Sequence, residues 1–131
     1  MADKSDDLWP ADIAAPPRDK PPLLILREQA SLLAQKTGNL VDAEVTTSPE
    51  PDGSLALRFT LVAPALSGYR YVLFTAIQSA KLYPVALRFE GLTYHADSED
   101  GLKQYLRNFF TSEPARRVIS GLVAQSQSQA S

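Results

Sequence analysis

The sequence predicts an α+β domain in which a five-stranded antiparallel meander sheet is packed by an N-terminal helix and two C-terminal helices, in the order α-β-β-β-β-β-α-α. Three observations predict it. Apolar residues recur at helical spacing only towards the two ends of the chain; five segments between them alternate or run apolar over strand lengths; and short turns join those segments. Helices segregated from a run of strands mark the α+β class, and short local connections favour antiparallel neighbours.

The first helix is expected over 22–37. Proline suits its first turn, Leu26, Ala30 and Leu33 form its apolar stripe, and Gly38 stands where a left-handed residue would stop it. Residues 40–47 then alternate, with Val41, Ala43 and Val45 on one face and Asp42, Glu44 and Thr46 on the other. After the turn Pro49-Glu50-Pro51-Asp52-Gly53, a second strand over 54–62 points Leu55, Leu57, Phe59 and Leu61 inward, and Arg58 and Thr60 outward. The third strand, 69–78, is apolar on both faces, as a central strand covered on each side would be. Strict alternation gives Tyr71, Leu73 and Ile77 to one face, and Val72, Phe74 and Ala76 to the other. Residues 83–90 and 92–96 form a hairpin turning at Glu90-Gly91, with Pro84 at the only strand position it suits. Asp97 is the expected cap of the next helix, whose stripe is Leu102, Tyr105, Leu106 and Phe109. Ser112 caps a last helix with Pro114 in its first turn and Ala115, Val118, Ile119 and Leu122 facing in.

The chain divides accordingly into a disordered acidic, proline-rich head over 1–20, a single α+β domain over 21–124, and a disordered polar tail over 125–131. Five of the ten prolines fall within the first 22 residues, and the tail reads QSQSQAS. There is no cysteine, which excludes disulfides, thiolate metal sites and cysteine nucleophiles, and fits a reducing compartment. The opening residues are acidic where an export signal is basic and then apolar, and no apolar run approaches the roughly 18 residues of a membrane span. A cytoplasmic location without membrane contact is therefore expected. Residues 21–131 carry ten charges of each sign, so the basic excess of a nucleic-acid binder is missing, and a neutral domain is poorly protected against self-association.

Chemistry is sparse. The single histidine, His95, stands near Asp97, Glu99 and Asp100. That is a thin basis for a cation site or an acid/base pair, and an acidic helix start beside a surface histidine is much the plainer account. No nucleophile elbow and no glycine-rich phosphate loop is present, and no cofactor is implied. Arg58, Arg70 and Arg88 share the outward parity of three strands and His95 that of a fourth. If the registers align, they form a cationic ladder suited to an anionic ligand; solvation, or pairing with Asp42, Glu44 and Glu90, is the plainer account.

Packing supplies the stronger lead. One sheet face, with Leu57, Phe59, Tyr71, Leu73, Val85, Leu87 and Phe89, suits the helix stripes. The other still presents Val62, Val72, Phe74, Ala76 and Ala86, to be covered by divided helices, by a second copy, or by the head or another protein. The head contributes Leu8, Trp9 and Ile13, apolar residues within an acidic run and including the chain's only tryptophan, a side chain enriched at binding hot spots. A short N-terminal helix, a C-terminal helix, twisted strands, small size and an acidic isoelectric point resemble dimeric secretion chaperones. The unbroken run of five strands departs from the helix-interrupted order of that family, and no residue is carried over from it. These features favour a non-enzymatic protein-interaction or assembly module, homodimeric and with a possible protein client, that binds through an apolar sheet face or the Trp9 segment. The alternative is a protein or enzyme that binds a small anionic ligand on the Arg58, Arg70, Arg88 and His95 face.

Overall fold

The first helix begins where proline dictates. Pro21 stands at the cap in an extended conformation, and Pro22 occupies the first helical position, where no backbone donor is needed. The computed structural model describes residues 6–130, and within them α1 spans Pro22–Lys36. It ends on two left-handed residues, Gly38 and Asn39. The Asn39 N–H donates to the Ala34 carbonyl at 2.8 Å and the Gly38 N–H to that of Gln35 at 3.3 Å, which satisfies carbonyls that the helix leaves open. Thr37 Oγ1 accepts the Val41 N–H at 3.1 Å and so ties the helix end to the sheet.

The five strands are β1 (Asp42–Pro49), β2 (Leu55–Ala63), β3 (Tyr69–Gln78), β4 (Val85–Phe89) and β5 (Leu92–Ala96). They pair in sequence order, each antiparallel to the next, as the meander expected from the sequence. A short 3₁₀ turn, Pro64–Leu66, separates β2 from β3. Glu90 and Gly91 both take positive φ between β4 and β5, the geometry that lets a two-residue loop follow the twist of its strands. Helices α2 (Glu99–Thr111) and α3 (Glu113–Ala130) complete the α-β-β-β-β-β-α-α order. No helix among the described residues is long and apolar enough to cross a membrane.

One irregularity in β3 decides what faces what. Phe59 pairs with Phe74, but Thr60 pairs with Val72, so Leu73 is an extra residue in the ladder. A bulge of this kind breaks the alternation, and Leu73 and Phe74 both enter the core. Phe74 and Ala76, which strict alternation sends to the second face, are therefore buried against the helices, Phe74 at 1% exposure. Ile77 moves to the opposite side, in line with Ala56 and Ala86. Phe74 then stacks on Phe59 at 5.1 Å and meets Phe109 of α2 at 5.8 Å, while Phe109 stacks on Phe89 at 4.4 Å.

All three helices feed this one core. It gathers Ile25, Leu26 and Ala30 from α1, Leu102, Leu106 and Phe109 from α2, and Ala115 and Leu122 from α3. Among the described residues the helices are not divided between the two faces.

Two local expectations are corrected. Ser98, not Asp97, caps α2, because its Oγ reaches the Gly101 N–H at 3.1 Å while Asp97 stays exposed one residue outside. The segment from 125, expected as a disordered tail, continues α3 as far as Ala130. Gln and Ala are good helix formers, and Ser126 lies one turn beyond Leu122 on the inward stripe, fully buried.

Phe74→Ala should cost about 3–5 kcal/mol in urea unfolding and Val72→Thr within about 0.5 kcal/mol, whereas unbroken alternation would leave both residues on the outer face and both changes cheap. Gln78 is buried with its Oε1 unpartnered among the described residues, so Gln78→Leu should raise the unfolding free energy by about 1 kcal/mol.

Candidate functional site

The face turned away from the helices is built by register. Across it runs a row of one residue per strand: Thr46, Arg58, Thr75, Arg88 and Thr93. Arg58 and Arg88 flank Thr75 two strands apart, which at 4.8 Å per strand sets their backbones about 10 Å from each other. Both are exposed, and neither forms an ion pair among the described residues. Arg70 shares the face but lies further along β3, where its guanidinium meets Glu44 at 2.6 Å. That carboxylate holds the Arg70 pKa above its ordinary value and engages its charge. His95 sits in the neighbouring row opposite Ala86, and lines a polar cleft with Asp97, Ser98, Gln104 and Asn108 at the β5 edge.

The four cationic residues therefore share a face without converging on one point. Five clefts open among the described residues, and Arg58, Arg70 and Arg88 line none of these. No cluster of three or more potential metal ligands occurs among the described residues.

Between these charges the face is apolar in its middle. Val72 is 48% exposed and Val62, Ile77 and Ala86 are half-buried, while Ala56 and Thr60 are sunk between larger neighbours. Acidic and basic groups lie at opposite edges: Asp42 and Glu44 on β1, Arg88 and His95 on β4 and β5. Of the residues singled out from the sequence, Val62 and Val72 stand on this surface; Phe74 has left it for the core.

The Trp9 segment is presented to solvent. Leu8, Trp9 and Ile13 are 90%, 72% and 62% exposed, on a stretch folded only by local turns such as the Ile13 N–H to the Pro10 carbonyl. Its C-terminal end is fixed. The Lys20 N–H donates to Glu99 Oε1 at 2.8 Å, and the Tyr83 hydroxyl donates to the Lys20 carbonyl at 2.7 Å. Sequence reasoning missed this anchor, whose partners lie 63 and 79 residues apart with no local pattern between them. Burial, reinforced by the carboxylates of Glu99 and Asp19, pushes the Tyr83 hydroxyl up to about 12.

On the helix side, an apolar cleft of about 290 Å³ opens between α1, the α2–α3 junction and the sheet, floored by Leu33, Phe59, Leu61, Leu73, Phe110 and Ile119. A second cleft, of about 250 Å³, continues it along α1 and α2 past Ile25, Leu106 and Lys103. This groove was also missed, because its lining comes from α1, the sheet and the α2–α3 junction, with no local sequence pattern joining them.

No family model, no curated protein and no solved structure matches this chain.

Tyr83→Phe should lower the unfolding free energy at neutral pH by about 0.5–1.5 kcal/mol, the net worth of one hydrogen bond. Because the folded-state pKa is raised, the Tyr83 contribution is complete below the unfolded value of 10 and is lost as pH climbs to about 12. The gap in urea midpoint between the natural chain and Tyr83→Phe should therefore close across that window; a gap constant to pH 12 would show that the anchor does not depend on the hydroxyl proton.

Proposed function

We propose that this chain is a non-enzymatic protein-interaction module that forms a homodimer through its open sheet face and works in the cytoplasm. The observation that carries this reading is the packing of all three helices on one side of the sheet. The other side is left with a half-buried apolar centre and charged edges. Surfaces of that kind on small domains are typically interaction sites.

The charge distribution supports self-complementarity. Asp42 and Glu44 lie to one side of the Arg58–Arg88 row and His95 to the other, so a twofold axis in the plane of the face and running obliquely across the strands lays the Asp42 corner of one copy over the His95 corner of the other. Asp42 and Glu44 of each protomer then face Arg88 and His95 of its partner, and the two apolar centres meet between them. The absence of cysteine fits a reducing compartment.

A second reading, the binding of a small anionic compound, has one observation in its favour. Arg58 and Arg88 are unpaired among the described residues and flank a threonine hydroxyl in one row.

Light scattering on a size-exclusion column across a dilution series separates the two. A dimer is expected, and Val72→Glu should weaken it by about tenfold or more, because it buries an unpaired charge, with the monomer fold intact. A natural chain that stays monomeric at every concentration removes the homodimer. Tripolyphosphate should then raise the melting temperature of the natural chain but not that of a chain carrying Arg58→Gln and Arg88→Gln.

A further inference from the structure

We infer that the groove between α1 and α2 is the docking site of the chain's own head, which folds back from its anchor at Lys20 and seats Trp9 in the cleft. This goes beyond the sheet-face reading and uses the opposite side of the molecule. The structure records the unlatched arrangement, in which the groove stands open and Leu8, Trp9 and Ile13 are left in water.

Four observations bring the two surfaces together. The first is position. Lys20 is held by Glu99, which also binds Lys103 at 2.6 Å, and Lys103 lines the near end of the groove. The head is therefore tethered at the groove's mouth. The second is length. Once the local turns that bond Ile13 to Pro10 and Ala15 to Asp12 open, the 11 residues from Trp9 to Lys20 can span about 34 Å, whereas α1, beside which the groove runs, is about 22 Å long. The far cleft at Leu32 and Lys36 is within reach, with chain to spare for a turn.

The third is charge. Lys36, Lys103 and Arg107 rim the groove, and Lys36 and Arg107 make no ion pair among the described residues. The head brings Asp6, Asp7 and Asp12 on either side of its apolar residues. The fourth is surface chemistry. The cleft floor is aliphatic and aromatic, with Gln29 and Thr111 at its edge. An indole suits such a site, since its body is apolar and its N–H seeks one acceptor. Tethering makes docking intramolecular, with an effective concentration in the millimolar range, so a weak contact suffices to populate it.

Trp9 is the only tryptophan in the chain, so its fluorescence reports on this contact alone. In the full-length protein, Trp9 emission should be blue-shifted and its quenching by acrylamide weak, both unchanged across a dilution series. Leu32→Glu and Arg107→Glu alter exposed positions at the groove, so the fold should survive in both. Each should move the emission to the red and raise quenching to that of the urea-unfolded chain. Trp9 quenched as strongly in the natural chain as in the unfolded one would overturn the proposal. So would shielding that persists in both groove variants. Shielding that grows with protein concentration, or is lost in Val72→Glu instead, would also overturn closure within one chain and assign the contact to a second copy. Closure within one chain leaves the mass unchanged, so scattering and fluorescence fail independently: a monomer with shielded Trp9 removes only the sheet-face dimer.

Discussion

Leu73 is one residue more than the β2–β3 ladder has room for, and the packing of the molecule depends on how that surplus is absorbed. The bulge turns Phe74 onto the side where Phe59 already points, and from there the rings continue to Phe109 of α2 and on to Phe89 of β4. Aromatic pairs of this kind contribute about 0.5–1.5 kcal/mol each beyond the area they bury. The chain of rings fastens three strands to one helix. Without the extra residue, Phe74 and Ala76 would project to the other side, and β4, which pairs Leu87 with Ala76, would follow the same phase. Apolar surface would then be divided between the two faces, each too thin to hold helices.

Concentrating the rings on one side decides the character of the other. That face keeps only short or β-branched apolar residues, so charged side chains can project from it without burial cost. Arg58 and Arg88 flank a threonine, a small neighbour that leaves both guanidinium groups hydrated. Arg70, nearer the acidic edge strand, is engaged by Glu44. A surface with an apolar middle and oppositely charged edges can be complementary to itself in a way that a uniformly cationic ladder cannot.

Element order and most element ends were legible because they rest on local chemistry: proline at a helix start, glycine at a helix end, a dipeptide able to take two positive φ angles. The facing of Phe74 was not. Tyr71-Val72-Leu73-Phe74 is apolar throughout, so its pattern carries no phase, and a bulge is fixed by what the neighbouring strands require. Asp97 and Ser98 are both good caps side by side, and only the reach of an oxygen to the Gly101 N–H separates them. The final segment looked disordered by composition. Its helix runs on instead, and Ser126 follows Leu122 onto the inward stripe and is buried there although its Oγ finds no partner among the described residues. The residues singled out on the sheet were correctly given one face through Arg58, Arg70, Arg88 and His95, because parity survives in strands without a surplus residue and Arg70 precedes the bulge.

The anchor at Lys20 has a narrower role than its bonds first suggest. Three elements begin around it, α1 directly after it, β4 after Tyr83 and α2 at Glu99, so it joins the head to the domain where the chain converges. Yet α1 itself starts at Pro22, and releasing Lys20 would lengthen the free head by only two residues. Loop-closure entropy grows with the logarithm of length, so that change alters the cost of bringing Trp9 to the groove by less than about 0.2 kcal/mol. What the two bonds set is direction. They hold the last peptide of the head against Glu99, at the end of the groove that Lys103 lines, and the prolines that follow upstream restrict how far the chain can turn away. Head docking is thus governed by the apolar fit of Trp9 and the charges at the rim, while the anchor selects which groove the head meets first.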